Sequence, residues 1–191
     1  MIAGLVLAAG AGSRFGGADS KLLADLDGRP LVERSIAAAC AVPALERVVV
    51  VFGARADDLL AAVRLGRAEA VVCSDWARGQ SASLRCGLDA LDGASRVIVT
   101  LGDAPLVSAR VIALFVGEPG RTRAVYDGRP GHPVVLESQQ IEALRSLSGD
   151  TGARELLRGG PVIEVGHLCS DRDVDTHEDL EVVRDEARAG I

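Results

Sequence analysis

The chain has 191 residues, 48% of them apolar, enough for the core of one domain spanning 1–191 without a second. Its net charge of −6 excludes a general nucleic-acid or anionic-membrane binder, because such affinity comes from clustered Lys and Arg. No run approaches the roughly 20 apolar residues of a membrane span, and Cys40, Cys73, Cys86 and Cys169 form neither a CxxC pair nor a zinc pattern. They read as reduced thiols, which points to the cytoplasm.

In chain order, Ile2–Ala9 has no basic region before it and runs straight into Gly10 and Gly12, so it reads as a buried strand rather than a signal peptide. Pro30 opens a helix over Leu31–Ala41, and Arg47–Phe52 is the next strand. Helix Ala56–Leu65, strand Ala70–Ser74, helix Ser81–Leu91 and strand Arg96–Leu101 follow, then a helix capped by Ser108. Strands Arg123–Tyr126, Pro133–Glu137 and Pro161–Val165 complete the set, with helices near 138–147, 151–158 and 177–188. Val48 to Val51 and Val97 to Val99 are apolar on both faces, as in parallel strands between two helix layers. A three-layer α/β/α sandwich is expected, with ligands at the carboxyl ends of its strands.

Two of those ends carry chemistry. After the first strand come Leu7, Ala8, Ala9, Gly10, Ala11, Gly12, Ser13, Arg14, Phe15, Gly16 and Gly17, then Asp19, Ser20 and Lys21. Four glycines let consecutive amides approach phosphate oxygens, and Arg14 and Lys21 neutralise the charge, so the loop reads as a phosphate cradle. Twenty of the 21 basic residues are Arg, and Lys21 is the one Lys, which marks a place where a compact ammonium is required. A P-loop would need Gly-Lys-Ser/Thr, and Lys21 lies between Ser20 and Leu22. A dinucleotide site would need an acidic residue ending the second strand, where Arg55 is the nearest polar group, so NADP is a weak alternative. The glycines alone also fit a plain flexible connection.

The second end is Val97 to Val107, an apolar strand delivering Asp103 after Gly102. Facing a phosphate cradle, Asp103 fits a Mg²⁺ ligand, since Mg²⁺ takes one or two carboxylates and fills its shell with phosphates and waters; in isolation it fits a turn or helix cap. A second acid is expected from Asp171, Asp173 and Asp175, although Asp175 or Thr176 also suits the N-cap of the last helix.

Leu7-Ala8-Ala9-Gly10 with Arg14 and Lys21, then Leu101-Gly102-Asp103-Ala104-Pro105-Leu106, resembles the molybdenum cofactor cytidylyltransferase family. The blocks Gly79 to Leu84, Gly131 to Val134, Gly149 to Arg154 and Asp173 to Thr176 resemble family motifs in the same order, over nearly the whole chain. The resemblance implies a mostly parallel, Rossmann-like sheet of the nucleotide-diphospho-sugar transferase type. It implies a nucleotide site of Leu7, Ala8, Ala9, Gly10, Gly12, Ser13, Arg14, Lys21, Ser83, Gly102 and Asp103, with Ser83 near the base. Arg14, Lys21 and Asp103 become catalytic, Asp103 and Asp175 hold Mg²⁺, and His132, Asp150 and Arg154 meet the acceptor. Read from the residues alone, His132 sits in a tight turn, and Asp150 with Arg154 is a cap plus a surface pair. Two positions depart from the family: Ala104 replaces the usual Gln, and Thr151 the usual Lys.

The implied reaction is attack of an acceptor phosphate on the α-phosphorus of CTP, releasing pyrophosphate. The implied acceptor is molybdenum-bearing molybdopterin, a phosphorylated pterin, and a molybdenum hydroxylase receives the product. The methyl of Ala9, where guanylyltransferases usually have Gly, favours CTP over GTP. The alternatives are a guanylyltransferase, a sugar- or alditol-phosphate nucleotidyltransferase favoured by Ala104 and Thr151, and a non-enzymatic cofactor carrier or insertion chaperone.

Overall fold

The computed structural model describes residues 1–16, 20–146 and 157–189. Seven strands, β1 (Ile2–Ala8), β2 (Arg47–Phe52), β3 (Glu69–Val72), β4 (Arg96–Leu101), β5 (Arg123–Tyr126), β6 (Arg129–Glu137) and β7 (Val162–Glu164), form one sheet in the order β3-β2-β1-β4-β6-β5-β7. Around it lie α1 (Leu31–Cys40), α2 (Ala56–Ala62), α3 (Gln80–Ala90), α4 (Ala109–Leu114), α5 (Ser138–Ser146) and α6 (His177–Ala189). Single 3₁₀ turns occupy Lys21–Leu23 and Trp76–Arg78.

β1 is central and parallel to both neighbours, Leu5 pairing with Val49 of β2 and with Val99 of β4. Only β6 runs against the rest, antiparallel to β4 and to β5. The cause is local. Asp127 and Gly128 have φ of 50° and 79° and join Tyr126 directly to its partner Arg129. A two-residue turn with both central φ positive is the hairpin geometry that reverses a strand. β6 therefore starts at Arg129, four positions before the expected Pro133, and Gly131 to Pro133 lie inside it rather than in a turn leading to it.

Alternate residues of the central strands face opposite layers. Val48, Val50 and Phe52 pack against Ile36 of α1, Leu59 of α2 and Phe115 beyond α4, all 0–1% exposed. Leu5, Val49, Val51 and Val99 pack against Leu84 and Leu88 of α3 and Leu144 of α5 on the other face. This two-sided burial is why these strands read as unbroken apolar runs, and each such side chain contributes about 1.5–3 kcal/mol. A smaller cluster of Phe15, Leu106, Val174, Leu180 and Val183 seats α6 on the loops that leave β1 and β4, at the carboxyl edge of the sheet.

The expected element boundaries hold within a few residues. α2 stops at Ala62 because Val63 turns extended, with φ −97° and ψ 133°. The Ser108 hydroxyl accepts from the Val111 amide and starts α4 as expected. The expected helix over 151–158 falls almost wholly outside the described residues. All four cysteines are free thiols, and among the described residues no helix is long and apolar enough to cross a membrane.

Candidate active site

The loop leaving β1 is open. Among the described residues nothing accepts from the amides of Gly10 to Arg14, whose backbone runs past the sheet edge until Phe15 N bonds Gly12 O at 2.9 Å. Gly12 has φ +61°, a conformation that favours glycine, and a Cβ there would press on Lys21 Cγ at 3.0 Å. The parallel end of β4 is locked alongside: Gly102 N donates to Leu7 O at 2.8 Å, and the Ser35 hydroxyl of α1 donates to Gly102 O at 3.1 Å.

Asp103 follows, and its backbone carbonyl accepts from Val174 N at 3.0 Å. That bond, with Val174 fully buried, brings the segment before α6 to the end of β4. The two carboxylates it aligns converge on one cation. Lys21 Nζ is 2.5 Å from Asp103 Oδ2 and 2.7 Å from Asp175 Oδ1, with the Lys21 side chain 8% exposed. Burial lowers the Lys21 ammonium, but the charges and hydrogen bonds of Asp103 and Asp175 outweigh it and raise its pKa above the ordinary lysine value. Asp175 Oδ2 also accepts from Arg14 Nη1 at 3.1 Å, and the hydrogen bond from Lys21 leads in holding this carboxyl below its usual value.

The capping alternative for Asp175 is resolved by geometry. Thr176 Oγ1 accepts from Asp179 N at 3.1 Å, and Asp179 Oδ2 accepts from Thr176 N at 2.8 Å and from Asp175 N at 3.1 Å. This is a reciprocal capping box. Thr176 caps α6, and the Asp175 side chain is left for Lys21 and Arg14.

Three cavities adjoin along this edge. The first, about 210 Å³, is lined by the loop, Lys21, Asp103 and Asp175. The second, about 400 Å³, lies between Ala9 and Gly10 on one side and Trp76, Gly79 and Ser83 on the other, with Asp103 and Asp173 at its rim. Its back wall is tightly built: a Cβ on Gly53 would lie 2.5 Å from Trp76 Cβ and 2.7 Å from Ala9 O. The third, about 480 Å³, runs from Asp171 and Asp173 over Val99, Leu101, Val134 and Leu136 to His132 and Arg123, with Ala104 in its wall.

His132 is neutral at ordinary pH, because burial and then the nearby Arg123 charge push its imidazole down to about 4. Its carbonyl accepts from the Tyr126 hydroxyl at 2.6 Å. Asp173 is open to water through the cavities, yet the surrounding protein and next the Asp103 carboxylate push its carboxyl up to about 7.

The structure thus brings together Leu7, Ala8, Gly10, Gly12, Ser13, Arg14, Lys21, Asp103 and Asp175 around one cavity, Ala9 and Ser83 around the next, and His132 on the third. Gly102 is behind them in the backbone. Asp150, Arg154 and the departing Thr151 lie outside the described residues. Arg55 is paired with Asp58 at 2.7 Å, at the start of α2 rather than beside the loop. Sequence reasoning missed Trp76, Asp173 as a cavity residue, and Arg123. Trp76 follows the carboxyl end of β3, the signal that finds ligand residues in such sheets; Arg123 lies within β5 and carries no such signal.

For a divalent cation the fit is of one kind. Among the described residues no group of three His, Cys, Asp or Glu side chains converges, but Asp103 and Asp175 do, beside an open run of amides. Two hard carboxylates leave most of a Mg²⁺ shell to phosphate and water, its usual arrangement.

A seven-stranded sheet of this order between helix layers defines a nucleotide-diphospho-sugar transferase-like α/β fold. Residues 4–168 match the MobA-like NTP transferase domain. The chain belongs to that family, one of nucleotidyltransferase enzymes. It is 36% identical to a nicotine blue oxidoreductase of Paenarthrobacter nicotinovorans, over 94% of both chains. It is 35% identical to a 2-C-methyl-D-erythritol 4-phosphate cytidylyltransferase of Thermobifida fusca over 84% of this chain, and spans 63% of that enzyme. Among solved structures it resembles Rv0371c of Mycobacterium tuberculosis H37Rv, with TM-score 0.82 and 29% identity over 96% of this chain and 97% of that one. Rv0371c was also solved in complex with manganese, where TM-score is 0.78 and identity 27% over 96% and 98%.

Proposed function

We propose that the protein is a Mg²⁺-dependent cytidylyltransferase that moves CMP from CTP to a phosphorylated pterin, molybdenum-bearing molybdopterin, yielding the cytosine dinucleotide cofactor for a molybdenum hydroxylase. The observation that carries the nucleotidyl-transfer reading is the convergence of Asp103 and Asp175 on Lys21 beside the open amides of Gly10 to Arg14. The manganese complex of Rv0371c supports a divalent cation. The cytidylyltransferase relative and the Ala9 methyl in the wall of the 400 Å³ cavity support CTP over GTP.

In this reading the triphosphate lies along Gly10 to Arg14, and the acceptor fills the cavity at His132. An acceptor phosphate oxygen bonds to the α-phosphorus as the bond to the pyrophosphate oxygen breaks, and pyrophosphate leaves. The acceptor oxygen is already ionised, so no general base is needed; positioning and charge neutralisation carry the step. Asp103 and Asp175 would hold Mg²⁺, which would supply charge neutralisation on the phosphates. Lys21, which holds the two carboxylates in the free protein, would yield them to Mg²⁺ and turn its ammonium to the phosphates, and Arg14 covers the exposed side.

A second reading follows from the nicotine blue oxidoreductase relative, which matches almost end to end. There the two larger cavities hold a reduced nicotinamide cofactor and a flat dye. One experiment separates the readings. The pure protein is incubated with Mg²⁺, each of four NTPs, and molybdopterin or a sugar phosphate, while pyrophosphate is measured. In parallel, NADH and NADPH oxidation is followed with nicotine blue. Pyrophosphate release with CTP and molybdopterin supports the proposal; release with GTP or with sugar phosphate moves it to those alternatives; binding without release fits a cofactor carrier. Nicotinamide oxidation without pyrophosphate supports the second reading.

A further inference from the structure

The third cavity is polar at its two ends and apolar between them. Asp171 and Asp173 stand at the end near Asp103, and Val99, Leu101, Val134 and Leu136 form the floor. Arg123 is at the other end. It pairs with Val134 on β6, which pairs with Val99 on β4. It is therefore two strands from β4 and about four residues before Asp103 in level, about 10 Å across the sheet and about 13 Å along it.

Among the described residues the guanidinium of Arg123 has no counter-charge. Its Nε is buried with no hydrogen-bond partner, it makes no ion pair among the described residues, and burial is the influence that draws its pKa below the ordinary arginine value. Other partly buried arginines on the sheet and its helices have an acid: Arg96 is held by Glu137 at 2.5 Å, Arg47 by Glu69 at 2.7 Å, and Arg145 by Asp92 at 3.2 Å. A half-buried cation without an anion costs stability. The neutral His132 beside it brings no second charge to the same end.

We propose that Arg123 docks an oxyanion at the far end of the acceptor, so that the substrate class is a flat, largely apolar aromatic or heteroaromatic molecule with an ionised oxygen group. That group, a carboxylate, phosphate or ionised ring hydroxyl, sits at the end of the cavity away from Asp103, whose backbone is about 16 Å from that of Arg123. The inference rests on the proposed function for the word acceptor; binding at Arg123 is measured without nucleotide, so failure of nucleotidyl transfer and failure of this docking are separate results.

The probes are 2-naphthoate and its neutral isostere 2-naphthamide, titrated calorimetrically into the full chain and into Arg123→Gln and Arg123→Lys. A charge-assisted contact in an apolar cavity gives wild type a preference for naphthoate of about 10–100-fold. Arg123→Gln removes that preference and leaves naphthamide affinity unchanged, whereas Arg123→Lys, which keeps the charge, retains part of it. Equal affinity of wild type for both probes overturns the proposal, whatever the variants do. A preference that survives in Arg123→Gln overturns it as well.

Discussion

Replacing Lys21 by Met tests the convergence of carboxylates without any substrate. The ammonium touches Asp103 and Asp175 at 2.5 and 2.7 Å, which puts their oxygens no more than about 5 Å apart. Two unit charges at that distance repel by about 3 kcal/mol at an effective dielectric of 20. Their side chains are 23% and 40% exposed and Arg14 stays beside Asp175, so the expected loss is smaller, about 1–2 kcal/mol. Mg²⁺ should restore it. At ten times its dissociation constant a ligand of the folded state adds about 1.4 kcal/mol, about 3–6 °C in a chain of this size. The assay is thermal melting of wild type and Lys21→Met across a Mg²⁺ titration at constant ionic strength. The variant should melt lower without Mg²⁺ and gain more from it, because no ammonium competes for the carboxylates. Equal melting of the two proteins, with equal response to Mg²⁺, would refute the cation site.

Asp103→Asn should abolish pyrophosphate release with the fold intact, whereas Thr176→Ala should cost about 1 kcal/mol of stability and leave turnover near wild type; melting and turnover on both variants check the division between site and cap. Ala9→Gly should shift preference toward GTP by about 1–3 kcal/mol, read as the ratio of kcat/KM for GTP and CTP; an unchanged ratio removes Ala9 from nucleotide choice. His132, held near 4 in the folded state against 6.5 as its ordinary value, binds fewer protons folded than unfolded between those values. Its contribution is therefore complete above about pH 6.5 and is lost as pH falls toward 4, by no more than about 3 kcal/mol. Chemical denaturation from pH 7 to 4 should show this slope flattened in His132→Asn, and an identical slope in the variant would assign it to other groups.

Much of this was legible along the chain, because the signals were local. Unbroken apolar runs such as Val48 to Val51 report two-sided burial directly, and glycines at 10 and 12 next to a strand end report a loop that must approach something closely. A single Lys among 21 basic residues pointed to Lys21 before any contact was known. The reversal of β6 was also written locally, in Asp127-Gly128, a hairpin signal that reading Gly131 to Pro133 as the turn passed over.

What sequence by itself determined, then, is the layered α/β architecture and a glycine-rich loop at a strand end with an acid opposite, since periodicity and short motifs depend on neighbours a few residues apart. Tertiary structure alone decided which side chain meets Lys21 beside Asp103. Asp171, Asp173 and Asp175 alternate in the sequence and spacing alone does not rank them, although the family resemblance pointed to Asp175; it is the bond from Val174 to Asp103, together with the Thr176–Asp179 cap, that turns Asp175 to Lys21 across 154 residues of chain. The same holds for Trp76 against Gly53 and for Arg123, which has no counter-ion among the described residues. Their meaning comes from what stands, or does not stand, across a cavity, and proximity between distant segments is set by packing of the sheet and its layers, which no local pattern encodes.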